Sequence, residues 1–90
     1  METDKGIAII TGASQGIGAV VAKGLANDGY QVVLIARNEE NLNKVCNEIM
    51  LLGKYIQPPI ILPLDLTDST KVDCELRNIH QKYGDIDILV

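Results

Sequence analysis

Histidine and cysteine are scarce in this 90-residue sequence, with one His80 and two cysteines, Cys46 and Cys74. A single imidazole with no partner at metal-ligand spacing excludes a histidine-based metal site and reads as a solvated helix position. The two cysteines stand at a spacing that fits no zinc or thioredoxin-like pattern, so free thiols in a reducing compartment are expected. Long apolar runs are missing as well. The longest, residues 32–36 and 58–64, fall far short of the ~20 residues that span a bilayer. Residues 1–4 carry two acids and neither a basic nor an apolar segment, so no secretory signal is expected. Basic charge is in deficit too, with eight Lys and Arg against twelve Asp and Glu and a net charge of -4. That balance repels a phosphate backbone and disfavours nucleic acid as a partner. The expectation is a soluble, cytoplasmic chain with neither nucleic acid nor membrane as partner.

What is present is an ordinary globular composition, 47% hydrophobic and 22% charged, enough for one small domain. Residues 6–12 form a short β-branched run bounded by glycines, hence a buried strand. From 16 to 27 the spacing turns helical, with Ile17, Val20, Val21, Gly24 and Leu25 on one face and Gly29 at the terminus. A second buried strand covers 32–36. Asn38 can cap a helix bearing Leu42, Val45, Cys46 and Ile49, with Glu39 and Glu40 in its first turn and Gly53 at its end. Residues 60–64 make a third strand. Val72, Leu76, Ile79 and Tyr83 mark a third helix, for which Asp68, Ser69 and Thr70 are capping candidates. Residues 86–90 make a fourth strand.

The order β-α-β-α-β-α-β forces parallel pairing with right-handed crossovers, an α/β fold of the partial Rossmann, doubly wound kind. Pro63 lacks an N–H and suits an edge strand. A strand order of 3-2-1-4 puts it there and makes the gap between the first and fourth strands the ligand-binding switch point. The fourth strand ends on apolar residues and wants a further neighbour. The 90 residues therefore read as the N-terminal dinucleotide-binding portion of a larger single-domain enzyme, the alternative being a self-sufficient nucleotide-binding module.

Chemistry concentrates in Thr11-Gly12-Ala13-Ser14-Gln15-Gly16-Ile17-Gly18, between the first strand and the first helix. Its glycines allow a tight turn and a close ligand approach, and the helix aims unpaired N–H groups at the loop. A pyrophosphate suits both features. The simple G-x-G-x-x-G rule fails at Val21, and the P-loop rule fails for want of Gly-Lys-Ser/Thr. The competing reading is a purely structural turn.

Thr11-Gly12-x-x-x-Gly16-Ile17-Gly18 resembles the cofactor fingerprint of the short-chain dehydrogenase/reductase family. Asp65-Leu66-Thr67 resembles its adenine-pocket motif, and Asp87-Ile88-Leu89-Val90 resembles the strand that leads into its Asn-Asn-Ala-Gly motif. Within the family the sequence is similar to the 3-oxoacyl-carrier-protein reductase type. The resemblance implies that Gly12, Gly16 and Gly18 form the dinucleotide loop, with the Ile17 N–H on the pyrophosphate. It also implies that Ser14 bonds the adenosine ribose or its phosphate, that Asp65 accepts from the adenine amino group, and that the Leu66 N–H serves a ring nitrogen. Asp65 as a simple turn acid is the alternative.

The second strand ends Ile35-Ala36-Arg37-Asn38. NAD binders place an acid here for the ribose 2′-OH, whereas a 2′-phosphate prefers a guanidinium. With no acid at 36 and Arg37 next, NADP is favoured over NAD, Arg37 as a solvated loop charge being the alternative. Gln15 leaves one of the family's two common phosphate-binding positions without a basic residue. The family's Tyr-x-x-x-Lys is absent, because Tyr30, Tyr55 and Tyr83 are followed four residues on by Leu34, Pro59 and Asp87. The resemblance thus puts every catalytic position beyond Val90, and the 90 residues alone are expected to be inactive. The implied whole is an NADP-dependent oxidoreductase acting on a small carbonyl or secondary alcohol. Its rival is a non-enzymatic nucleotide-binding or interaction module, and a homo-oligomer is left open.

Overall fold

The computed structural model describes residues 6–53 and 58–90. The acids among residues 1–4 and the Tyr55 spacing lie outside the described residues. Along the chain run β1 (Gly6–Thr11), α1 (Gly16–Asn27), β2 (Tyr30–Ala36), α2 (Glu39–Leu52), β3 (Ile60–Pro63), α3 (Ser69–Tyr83) and β4 (Ile86–Leu89). Every strand pair is parallel and the sheet order is β3-β2-β1-β4. This is the Rossmann-like α/β arrangement expected from the sequence, with Pro63 on an edge strand where a missing N–H is tolerated.

Side chains alternate across the sheet, so β1 and β2 feed two cores. Ala8, Ile10, Val32 and Leu34 join Leu42, Val45 and Ile49 of α2 and the alanines of α1 on one face. Ile7, Ile9, Val33 and Ile35 meet Leu64 and Ile79 on the other. Both faces are covered, which is why these strands read as unbroken apolar runs.

One expectation is overturned. The bulky residues Ile17 and Val20 of α1 are 84% and 68% exposed, and Ala19, Ala22 and Ala26 are the ones buried. These alanines share one buried cluster with Ala8 and Ala13, so it is small side chains that seat the helix on the sheet. Small residues fix the distance, and the larger Val21 and Leu25 pack only at the margin. β2 also begins earlier than its apolar run. Gln31 is buried within it, and its Nε2 donates to the Pro58 carbonyl at 2.8 Å.

The helix ends follow local chemistry. Asn38 Oδ1 accepts from the Asn41 N–H at 3.0 Å, Glu39 and Glu40 occupy the positive end of α2, and Gly53 closes it at a φ of 67°. Asp68 caps α3 by accepting from the Lys71 N–H at 3.2 Å. Between β1 and β4 the register slips at Ile7/Ala8, which pair with Ile86 and Ile88. Asp87 is left over, and its carboxylate accepts the Ile7 N–H at 3.0 Å in place of a ladder carbonyl.

Candidate functional site

Three connections meet at the C-terminal ends of β1, β2 and β3, where a doubly wound sheet presents its loops to a ligand. The first starts at Thr11. Its N–H and hydroxyl both donate to the Val90 carbonyl, at 3.0 and 2.8 Å, and the Val90 N–H returns a bond to the Ile9 carbonyl at 2.9 Å. Those bonds fasten the mouth of the loop to the end of β4. Ala13 is buried and its N–H donates to the Ile35 carbonyl at 3.2 Å, tying the loop to β2 as well.

Within this loop the glycines are needed for two different reasons. Gly12 and Gly16 have φ of 63° and 60°, and a Cβ on either would meet nothing within 4 Å. Backbone conformation selects glycine there, and the space above both remains open to a ligand. Crowding selects Gly18, because a Cβ would run into the Gly12 carbonyl, whose carbon would lie 2.8 Å away. Gln15 offers no side-chain cap to α1, and the first turn holds no acid. Among the described residues no side chain caps the N–H groups of Gly16, Ile17 and Gly18, which stand at the positive end of the helix.

The third connection shapes a cavity of about 350 Å³ lined by Gly12, Ala36, Arg37, Leu64, Asp65, Leu66 and Thr67. Leu64 is buried and Leu66 half-exposed, so the slot has an apolar floor with a polar end. Asp65 Oδ1 accepts from the Thr67 N–H at 2.9 Å and from the Thr67 hydroxyl at 2.7 Å. These bonds hold the carboxyl below the usual carboxylate range, with the Arg37 guanidinium adding a smaller push in the same direction. The Asp65 side chain is thus a turn-builder through one oxygen, while Oδ2 has no hydrogen-bond partner among the described residues.

A second cavity, of about 570 Å³, is lined by Ser14, Gln15, Arg37, Asn38 and Asn41. Arg37 borders both cavities and is in no ion pair among the described residues. Asn38 spends its carbonyl oxygen on the cap of α2, which leaves its amide NH₂ for a ligand. The candidates Ser14, Gln15, Arg37 and Asn38 thus share one cavity, while Gly12, Arg37, Asp65 and Leu66 share the other. Exposed Ile17 and close-packed Gly18 line neither of these two cavities.

Leu64 and Asn41 are lining residues that sequence reasoning did not single out, and Thr67 entered it only as the third residue of the Asp65-Leu66-Thr67 motif, without a role of its own. The spacing of Thr67 two residues after Asp65 and of Asn41 three after Asn38 is the turn and cap signal that marks them. The donor set suits an adenosine dinucleotide. Backbone N–H groups and a helix dipole face one end, an apolar slot with a carboxylate lies at the other, and a guanidinium stands between.

Comparison with known proteins bears on this geometry. Residues 6–90 match the family model for short chain dehydrogenase. The chain is 38% identical over 86 residues to a dehydrogenase/reductase SDR family protein 7-like of Anopheles gambiae, covering 93% of this chain and 27% of that protein. It is 67% identical to the betaketoacyl-[ACP] reductase of Bacteroides thetaiotaomicron, with a TM-score of 0.92 over 96% of this chain and 38% of that one. A metagenomic short-chain oxidoreductase solved in complex with NADP is 34% identical, with a TM-score of 0.87 over 96% of this chain and 38% of its own. The chain spans well under half the length of each. The match of fold, glycine loop and sequence over 6–90 establishes that this chain belongs to the short-chain dehydrogenase family of oxidoreductases.

Proposed function

We propose that this chain binds NADP across the two cavities, as the cofactor-holding portion of a larger single-domain enzyme. When bound, the nicotinamide supplies or accepts a hydride, and the substrate is a carbonyl or secondary alcohol. The 67% identity to a betaketoacyl-[ACP] reductase supports a 3-ketoacyl group on a carrier protein as that carbonyl.

The chain's own residues hold and orient. The N–H groups at the start of α1 take the pyrophosphate, the apolar slot takes the adenine, and Asp65 Oδ2 accepts its amino group beside the Leu66 N–H. Ser14 serves the ribose or its phosphate. None of Tyr30, Tyr55 and Tyr83 has a lysine four residues on in the sequence, so the proton donor and substrate pocket are proposed to lie outside these 90 residues. On that reading the 90 residues alone turn over no substrate. Cys46 is half-buried and Cys74 exposed, both as free thiols, which agrees with a reducing, cytoplasmic setting.

The observation that carries the choice of NADP is Arg37. It borders both the adenine slot and the polar cavity, with Ala36 before it where an acid would favour NAD. A guanidinium can donate to two phosphate oxygens at once, and each charge-assisted bond contributes about 1.5–3 kcal/mol. Exposure of Arg37 argues for the lower part of that range. Arg37→Ala should weaken NADP binding roughly ten- to a hundredfold and leave NAD nearly unchanged. Calorimetric titration of both cofactors at fixed salt tests this, and equal losses for the two would remove the NADP assignment.

A further inference from the structure

The polar cavity at Arg37 has a neighbour beyond the glycine loop. It shares Ser14, Gln15 and Asn41 with a groove of about 440 Å³ between α1 and α2, which is further lined by Gly16, Lys23, Lys44 and Glu48. Three cations and one carboxylate line the two adjoining cavities, on a chain whose net charge is -4. Lys23 Nζ lies 2.8 Å from Glu48 Oε1 and spends its charge there. Arg37 and Lys44 make no ion-pair contact among the described residues, though the Lys44 charge also acts on Glu48 from beyond contact distance.

Asn41 and Lys44 lie three residues apart on α2 and so share a face, with Asn41 at the junction of the two cavities. The backbone of Asn41 is pinned by the Asn38 cap, while its side-chain amide has no partner among the described residues. The loop supplies only neutral Ser14 and Gln15 to this space. An anion held by Arg37 therefore has its second side open to α2, not to a basic loop residue.

We propose that Asn41 and Lys44 complete the 2′-phosphate subsite, Asn41 by donating its amide and Lys44 by its charge, making α2 a determinant of cofactor specificity. The inference rests on the NADP reading above. Lys44 acts through solvent, so its share falls with salt.

The test uses the intact protein with adenosine 2′,5′-bisphosphate and adenosine 5′-monophosphate, probes that differ only in the 2′-phosphate. Asn41→Ala should weaken the bisphosphate about tenfold and Lys44→Gln about three- to fivefold at low salt, with the monophosphate unmoved. Lys44→Gln should also flatten the salt dependence of bisphosphate binding, and adding Gln15→Arg should recover the loss. If Arg37→Ala alone weakens the bisphosphate while both α2 variants match the parent, the α2 subsite is refuted and the NADP reading stands. Equal weakening of both probes by the α2 variants assigns them a structural role and overturns the proposal. Equal affinity of the parent for the two probes overturns the NADP reading, and this inference falls with it.

Discussion

Asp65 carries two hydrogen bonds on a single oxygen, and the acid limb of stability should register them. Its carboxyl is held below the usual carboxylate range, chiefly by the Thr67 N–H and hydroxyl. A carboxyl depressed in the folded state contributes stability that is fully present above its unfolded value, about 3.9 for Asp. That contribution is lost as pH falls through the lower, folded value. Parent and Asp65→Ala melts should therefore differ most above the usual carboxylate range and converge below it. Thermal unfolding from about pH 6 to about pH 2 reads the effect. A gap that stays constant throughout would mean that the Thr67 bonds do not depend on the charge. Gly6 shows a similar fit between single residues. Its φ is 118°, and a Cβ would collide with the Asp87 carboxylate that serves the Ile7 N–H.

At the scale of elements, α1 carries the clearest contrast. Gly18 and Gly24 lie on one helix with opposite surroundings, a Cβ at 18 striking the Gly12 carbonyl and a Cβ at 24 meeting nothing within 4 Å. Gly18→Ala should cost about 1–3 kcal/mol and impair nucleotide binding, as overpacking does. Gly24→Ala should stabilise by about 0.5–1 kcal/mol, because it only removes backbone entropy from the unfolded chain. Paired thermal melts decide, and equal signs would refute the packing described for this helix. The same helix marks how far sequence could be read. Strand order, the Asn38 and Asp68 caps and the edge position of Pro63 all follow from local rules of pattern and hydrogen bonding. The buried face of α1 does not, because periodicity weighs bulk, whereas the approach of helix to sheet is set by alanine and glycine. Gln31 escaped for a related reason, since its partner, the Pro58 carbonyl, comes from a distant segment. At the site the glycine loop, Arg37 and Asp65 were legible as motif residues. Asn41 was not, for only the folded chain brings α2 to the cavity of Arg37 and Ser14.

Across the whole molecule the two faces of the sheet are unequally secured. α1 and α2 cover one with Ala19, Ala22, Ala26, Leu42, Val45 and Ile49, while α3 commits Ile79 as its one fully buried residue among those described. Val72, Leu76 and Tyr83 pack only partly. β4, beyond β1, is an edge strand that leaves Leu89 and Val90 exposed. Cooperative units with little buried area open at a lower free energy than the centre of a sheet. In hydrogen–deuterium exchange, the amides of α3 should therefore exchange through local opening well before those of β1 and β2. Uniform protection across all three would refute it. The cap residue Asp68 joins α3 directly to the turn at Asp65 and Thr67, its own N–H donating to the Asp65 carbonyl at 3.0 Å. Each opening of α3 should thus loosen the floor of the apolar slot proposed for adenine, and a ligand that selects the closed form should draw the helix shut. An adenine nucleotide seated there should slow exchange along the length of α3, so that occupancy is recorded by amides that never touch it.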